Sequence, residues 1–194
     1  MKIGFLAPCN SWHIPVRTKY FVSKGHSVYY FGLYPGGKNI IRPEGVKLLE
    51  IRSKYNNRLF RGISRIYQIQ KLTKKHKIDI LHILGIGYSI YGIFSKAKKI
   101  VIENNGSDVL VRPEKNIYTR VFYKMLYGFL YSFSDAVVQD SKVAQQAGIK
   151  YGASNSNNEI IELGIDFQIF NLKVSKGIAR KKIGLNSNQK MIFS

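Results

Sequence analysis

The stretch of sequence that decides the fold spans residues 99–108 and reads KIVIENNGSD. Its first half is a short apolar run led by lysine, which predicts a β-strand, and its second half is a loop of small and polar residues. In parallel α/β sheets ligands bind beyond the carboxyl ends of the strands, and Gly106 lets the backbone come close to a ligand. Asn105, Ser107 and Asp108 are therefore candidates for binding a sugar or a phosphate. The alternative interpretation is a polar turn in which Ser107 or Asp108 serves as a cap.

The rest of the chain alternates between apolar runs typical of strands and segments with helical periodicity. The predicted strands cover residues 2–7, 27–31, 46–51, 79–84, 100–102, 135–139 and 159–163. The predicted helices cover residues 13–24, 58–77, 117–133 and 141–148, with a turn and helix over 85–96. Such alternation is typical of a doubly wound parallel sheet, so we predict a Rossmann-like α/β fold.

The loop after the first predicted strand spans residues 7–13 and reads APCNSWH. It lacks the GxGxxG pattern, which argues against a nicotinamide or flavin site of the usual Rossmann kind. Its polar residues run into the start of a helix, and helix N-termini bind anions. Asn10, Ser11 and His13 are therefore candidate binding residues. Because this strand and the 100–102 strand are both expected to be central, we expect their trailing loops to form one cleft at the same edge of the sheet.

The composition limits the class of protein. The chain has 194 residues and is 45% hydrophobic, which suits one substantial globular core. The sequence shows no apolar run of about 18 residues that would predict a membrane-spanning helix, and its N-terminus reads as a strand rather than a signal peptide. The single cysteine, Cys9, cannot form an internal disulfide, which favours a cytoplasmic location. No sequence pattern for a metal site occurs, and we expect neither a metal nor a cofactor.

The formal net charge of +20 is spread unevenly along the chain. Residues 51–78 contain no acid, and neither do residues 167–194. Such a field attracts polyanions, which include nucleic acids, anionic lipid head groups and phosphorylated substrates. The alternative is a solvated basic surface that only keeps the protein soluble.

The predicted helix at residues 58–77 carries much of this charge. An apolar stripe, expected to face the core, consists of Leu59, Ile63 and Ile66. The basic side chains on the opposite face are Arg58, Arg61 and Arg65. We therefore expect the arginine face to bind an anionic membrane or another polyanion without crossing the bilayer.

Short motifs along the chain carry a further signal through their order and spacing. They are SWHI at 11–14, KGHSV at 24–28, DILH at 79–82, NGSD at 105–108, SDAVV at 134–138 and GID at 164–166. In this order they resemble the N-terminal half of the family 4 retaining glycosyltransferases, which have the GT-B fold. The chain departs from the family pattern at Asn105 and Leu84, where histidines are usual, and at residues 162–164, where Pro-Asn-Gly is usual.

The resemblance implies an acceptor-binding domain at residues 1–171, followed at 172–194 by a linker and the start of a truncated donor-binding domain. It also implies a full-length retaining enzyme of the hexosyl-transfer type, which moves a sugar from a nucleotide-sugar donor to a glycan or lipid-linked acceptor in bacterial-type surface polysaccharide synthesis. Its catalytic residues are not assigned, and this fragment alone is expected to be inactive. We expect a cytoplasmic protein, peripheral at the inner face of the plasma membrane.

Two other classes of function stay open on the sequence alone. The basic stretches would suit a nucleic-acid-binding α/β module. The sequence has no recognisable helix-turn-helix, zinc or RNP pattern, however, so we expect no nucleic acid partner. A small α/β binding or regulatory domain is the remaining class. His82 lies inside an apolar strand and is interpreted as a core histidine.

Overall fold

The protein is built on a parallel β-sheet, seen in a computed structural model that describes residues 1–34, 40–113, 116–162 and 175–186. The strands are β1 (Lys2–Pro8), β2 (Ser27–Leu33), β3 (Val46–Ile51), β4 (Ile80–Leu84), β5 (Lys99–Glu103), β6 (Ala136–Gln139) and β7 (Asn158–Ile160). They form one seven-stranded sheet in the order β3-β2-β1-β4-β5-β6-β7. Every neighbouring pair of strands is parallel. The predicted doubly wound α/β fold is confirmed.

Helices connect the strands and cover the sheet. They are α1 (His13–Ser23), α2 (Arg58–His76), α3 (Ile86–Gly92), α4 (Gly106–Leu110), α5 (Ile117–Tyr131), α6 (Lys142–Lys150) and α7 (Lys176–Lys182). The chain divides into two compact units, residues 1–162 and residues 163–194, and α7 is the described helix of the second unit.

The strand order places a switch point between β1 and β4. From β1 the chain winds outward through β2 to β3, and from β4 it winds the other way through β5 and β6 to β7. Because crossovers between parallel strands are right-handed, α1 covers one face of the sheet, and α2, α3, α5 and α6 cover the other.

Each face of the sheet has its own apolar core. On the α1 face, Ile14 packs with Phe5 and Tyr30. On the opposite face, Ile69 of α2 and Leu130 of α5 belong to the larger cluster. Apolar strands buried on both faces are what a parallel sheet requires, which explains why their positions were readable from the sequence.

The segment after β5 differs from the prediction, because it forms the short helix α4 and not a loop. Asn105 has extended backbone angles, and the Asp108 N–H donates to the Asn105 carbonyl at 2.9 Å. Asp108 lies in the first turn, where a negative charge is favourable. The polar residues that follow β5 thus begin a helix.

The predicted core stripe of α2 is wrong. Leu59 and Ile63 are 68% and 54% exposed, and the side chains that α2 buries are Ile69 and Thr73, with Ile66 half-buried. This helix carries apolar residues on most of its circumference. The sequence therefore shows that the segment is a helix, but not its phase, that is, which of its sides is buried.

The predicted arginine face of α2 is also incorrect in part. Arg58 is exposed and Arg61 is half-buried, but Arg65 turns toward the carboxyl edge of the sheet. Its Nη2 donates to the Tyr34 carbonyl at 2.9 Å, and its guanidinium lies 5.5 Å from the centre of the Tyr91 ring. The three arginines therefore do not form one solvated surface.

Some sequence predictions lie outside the described residues. These are the GID motif at residues 164–166, the boundary between residues 171 and 172, and the end of the predicted second domain at residues 187–194. The domain boundary therefore stays a prediction. Among the described residues no helix is long and apolar enough to cross a membrane.

A glycine contact where α5 meets the turn after α6 yields a stability prediction. Gly152 has a φ of +108°, and a Cβ atom there would lie 2.8 Å from the Gly128 Cα of α5. We expect Gly152→Ala to lower the free energy of unfolding by about 2–4 kcal/mol, because backbone strain and overpacking add. Chemical denaturation monitored by circular dichroism measures this loss.

Gly25 provides the matched control for that substitution. It also has a positive φ, +74°, but an added Cβ would meet nothing within 4 Å. Gly25→Ala should therefore cost only the backbone strain, about 1 kcal/mol. Equal losses for the two variants would contradict the close packing of Gly152 on Gly128.

Candidate functional site

The two polar loops predicted to form a cleft lie at the same edge of the sheet. The loop of residues 9–12 follows β1, and the segment of residues 104–108 follows β5. Only β4 separates these two strands, and all three are parallel. The carboxyl edge at the switch point is where ligands bind in this class of sheet.

The predicted site residues differ in how far they are open to solvent. Asn10, Asn105 and Ser107 are exposed, and Ser11 and His13 are half-buried. All five can exchange hydrogen bonds with a polar ligand at this edge. Asp108 is the exception, because it is buried.

The loop after β1 is held by backbone hydrogen bonds. The Cys9 N–H donates to the Leu33 carbonyl at 3.0 Å, and the Ser11 N–H donates to the Pro8 carbonyl at 2.9 Å. The Tyr30 hydroxyl also donates to the Pro8 carbonyl. Burial raises the pKa of the Tyr30 phenol, so it stays a donor at physiological pH. These contacts fix the backbone that carries Asn10, Ser11 and His13.

His13 begins α1 and stacks on the ring of Trp12, with 3.7 Å between the ring centres. Burial lowers the pKa of His13, the nearby Glu103 carboxylate opposes this shift, and Arg17 adds to it. The imidazole is therefore mainly neutral at pH 7 and offers one donor and one acceptor. Sequence reasoning passed over Trp12, whose side chain is 65% exposed and presents an aromatic surface beside these polar groups.

Asp108 connects two neighbouring loops. Its carboxylate lies 3.1 Å from Arg112 Nη1 and beside the backbone N–H of Ile86 at the start of α3. Burial raises the pKa of Asp108, while Arg112 and the backbone donors of Asn105 and Ile86 oppose that rise. The Asp108 backbone carbonyl accepts from the Tyr127 hydroxyl at 3.0 Å. The N-cap of α4 is Asn105, and no side-chain capping hydrogen bond forms there, so the interpretation of Ser107 or Asp108 as a cap is not confirmed.

A buried ionic cluster, which the sequence analysis missed, lies beneath the loop after β1. Glu103 is the last residue of β5 and is 5% exposed. It forms an ion pair with Arg17 of α1, and its Oε2 lies 3.0 Å from His82 Nε2 of β4. We refer to Arg17, His82 and Glu103 as the ionic cluster.

The electrostatics of the ionic cluster favour a charged Glu103. Burial by itself would raise the pKa of this carboxyl, but His82 and Arg17 outweigh it and hold the pKa below its usual value. His82 is therefore more than the apolar-core histidine that the sequence suggested, although its ring also packs 5.2 Å from Phe5. The sequence signal that could have revealed the ionic cluster is the glutamate at the end of the apolar strand β5.

The amino edge of the sheet holds a cleft of about 650 Å³ that contains none of the predicted site residues. Its lining includes Lys2, Lys77 and Asp79. Asp79 is occupied there, because its carboxylate accepts from the Lys2 backbone N–H at 2.9 Å and from Lys98 Nζ at 2.7 Å. The candidate site is therefore the carboxyl edge. In the described part of the chain no group of His, Cys, Asp and Glu residues could hold a metal ion.

Comparison with known protein families identifies one match. The family described as "Glycosyl transferase 4-like" matches residues 2–141 of this chain. A comparison with the curated proteins finds no match.

Several solved structures with a similar fold have names that describe action on sugars. Sucrose-phosphate synthase from Thermosynechococcus elongatus is 12% identical with a TM-score of 0.69, over 97% of this chain and 53% of its own. The lipopolysaccharide outer core galactosyltransferase WaaB is 11% identical with a TM-score of 0.62, over 86% and 47%. Anabaena Alr3699/HepE, solved in complex with UDP-glucose, is 15% identical with a TM-score of 0.59, over 95% and 50%.

Because the sequence identities are low, these structural similarities establish the fold alone. This chain spans about half the length of each of the three solved structures. Its sheet and helices therefore correspond in extent to about half of those proteins.

The ionic cluster yields a stability prediction with a defined pH dependence. We expect Glu103→Gln to lower the free energy of unfolding at pH 7 by about 3–5 kcal/mol, because Arg17 would keep a buried charge without its partner. The pKa of Glu103 is depressed in the folded protein, so its stabilisation is complete above the unfolded-state pKa of about 4.5. This stabilisation is lost as the pH falls through the pKa of Glu103 in the folded protein. Denaturation curves at several pH values measure both effects.

Glu159 of β7 supplies the control, because it is an exposed glutamate in the same sheet. Glu159→Gln should change stability by less than about 0.5 kcal/mol. The stability of Glu103→Gln should also fall less steeply below pH 5 than that of the wild type. If Glu103→Gln matched Glu159→Gln at both pH 7 and pH 4, the ionic cluster would not be a stabilising contact.

Proposed function

This chain belongs to the glycosyl transferase 4-like family, and we propose that it forms the acceptor-binding half of a retaining glycosyltransferase. In this proposal the complete enzyme moves a hexosyl group from a nucleotide-sugar donor to a glycan or lipid-linked acceptor. The reaction would belong to the synthesis of a bacterial-type surface polysaccharide. The acceptor would lie at the carboxyl edge of β1, β4 and β5.

The observation that carries the proposal is the meeting of two polar loops at the switch point. Asn10, Ser11 and His13 from one loop and Asn105 and Ser107 from the other contribute amides, hydroxyls and a neutral imidazole. A sugar presents hydroxyl groups that both donate and accept, and these side chains can do the same. Asp108 would act there as a positioning residue, since its carboxylate faces Ile86 and Arg112.

A nucleotide-sugar donor is proposed to bind on a second domain that faces this edge. Two findings support this arrangement: the chain spans about half of its structural neighbours, and one neighbour is solved in complex with UDP-glucose. Retaining transfer needs donor and acceptor held together in a cleft that excludes water. One half of that cleft, by itself, would bind but not catalyse.

The charge of the chain favours acceptors that carry phosphate. The net charge is +20, and such a field raises the local concentration of anionic substrates. A lipid-linked acceptor with a diphosphate group would therefore be favoured over a neutral glycan. We place the enzyme in the cytoplasm, at the inner face of the plasma membrane.

The first test of the proposal is a search for catalysis by this chain alone. Incubation with UDP-glucose or UDP-galactose and an undecaprenyl-diphosphate-linked sugar should give no transfer product, because the donor would lack its own binding surface. Product analysis by mass spectrometry measures the outcome. Clear sugar transfer by these 194 residues would contradict the proposal that the acceptor and the donor bind to two different domains.

Binding to the acceptor provides the second test. We expect saturation-transfer NMR to detect binding of the undecaprenyl-diphosphate-linked sugar to the chain. Asn105→Ala and His13→Ala should each weaken this binding about fivefold or more, since each removes a hydrogen-bonding group. Ser156→Ala is the matched control, because Ser156 is an exposed serine in the turn before β7, at the opposite edge. Binding of RNA in preference to the lipid-linked sugar would support the nucleic-acid-binding alternative instead.

A further inference from the structure

Helix α5 presents a continuous apolar stripe to solvent. Its exposed side chains are Tyr118, Val121, Phe122, Met125 and Phe129, with Met125 73% exposed. They recur every three or four residues and so lie on one side of the helix. The opposite side contributes Tyr127, Leu130 and Tyr131 to the core. An apolar stripe of this length on a solvent-facing helix indicates an interaction surface.

Helix α2 presents a second such stripe. Leu59, Ile63 and Tyr67 are spaced four residues apart and are exposed, and Phe60 lies beside them. The same row continues with Lys71 and Lys75, which are also exposed. The stripe is thus apolar in the first turns of the helix and basic in the last ones.

Contacts through the segment between α3 and β5 connect the two helices. Gln70 Nε2 of α2 donates to the Phe94 carbonyl at 2.8 Å. The Phe94 ring lies 5.8 Å from Phe133, which lies 5.1 Å from Phe129 of α5. The exposed sides of α2 and α5, with Phe94 and Phe133 between them, therefore form one surface, which we call the docking face.

The docking face carries charge of one sign. None of the acidic residues of the chain lies in α2, α3 or α5, whereas Lys71, Lys75 and Lys124 are exposed there. A second copy of this chain would bring like charges together if it docked by the same face, and this repulsion disfavours a symmetric dimer. Apolar side chains flanked by lysines are instead complementary to a bilayer with anionic head groups.

We propose that the docking face binds an anionic membrane surface, with the apolar stripe of α5 inserted among the head groups and the lysines of α2 held over them. This binding does not depend on the proposed sugar transfer. It also differs from the expectation that Arg58, Arg61 and Arg65 form the membrane face, since Arg65 turns toward the carboxyl edge of the sheet.

Co-sedimentation with vesicles tests the proposal on the whole 194-residue chain. We expect binding to vesicles of phosphatidylcholine with phosphatidylglycerol, weaker binding to phosphatidylcholine alone, and a loss of affinity as salt is added. The double variant Phe122→Ser/Met125→Ser should bind at least about tenfold more weakly, because less apolar area enters the interface. Lys71→Glu/Lys75→Glu should lose at least about tenfold as well.

Helix α1 offers matched controls on the opposite face of the sheet. Val16 and Tyr20 are as exposed as the residues of the docking face, and Lys19 and Lys24 are also exposed. The variants Val16→Ser/Tyr20→Ser and Lys19→Glu/Lys24→Glu should therefore bind vesicles like the wild type. Thermal unfolding followed by circular dichroism confirms that all four variants are folded before binding is compared.

Three results would overturn the proposal. The first is an equal loss of vesicle binding for the α1 variants and the docking-face variants. The second is displacement of the vesicles by RNA or single-stranded DNA with no effect of Phe122→Ser/Met125→Ser. The third is a dimer in sedimentation equilibrium that the same double variant dissociates, because a second copy would then be the occupant. None of these outcomes bears on whether the carboxyl edge binds a sugar.

Discussion

A single buried carboxylate, Glu103, is the constraint around which the site is built. It ends β5, lies next to His82 of β4 and pairs with Arg17 of the helix that follows β1. Two neighbouring strands and one helix are thus joined at the edge where the polar loops leave the sheet. A buried charge is tolerated only when it is paired, so each element must take its place for Glu103 to be accommodated. This requirement favours one relative position of the loops, and in particular of His13, which interacts electrostatically with Glu103 and Arg17.

Much of the fold was predictable because its signals are local. Each strand is a short apolar run, and each crossover helix follows from composition and period, so the sheet could be inferred without knowing any contact. The phase of α2 could not be inferred, since Leu59 and Ile69 are equally apolar in sequence and only the packed sheet decides which is buried. The ionic cluster was missed for a similar reason. Arg17 and Glu103 are 86 residues apart in the chain, and no local pattern links them.

The two loops of the candidate site could be predicted from the sequence, but the contacts of their residues could not. The two loops were identified from their polar residues, and the sheet brings them to one edge. Asp108, one of the candidate binding residues, is buried, and its carboxylate lies between Arg112 and the start of α3. The sequence shows that a carboxylate follows the strand, yet its partners come from two other segments. A polar residue beyond a strand thus serves either the ligand or the loop, and only the contacts distinguish the two.

The docking face and the carboxyl edge are related by the direction of the chain. In a parallel sheet every helix that follows a strand starts near the carboxyl edge and runs back toward the amino edge. The first turns of α2 and α5 therefore lie toward the edge that holds the candidate site, and those turns carry the exposed Leu59, Phe60, Tyr118 and Phe122. The lysines of α2 come in its last turns, toward the other edge. If the apolar turns enter a bilayer, the carboxyl edge is the part of the sheet that comes closest to it. An acceptor anchored in lipid would then reach Asn105 and His13 without leaving the membrane, so the two proposals, which rest on separate observations, are geometrically compatible.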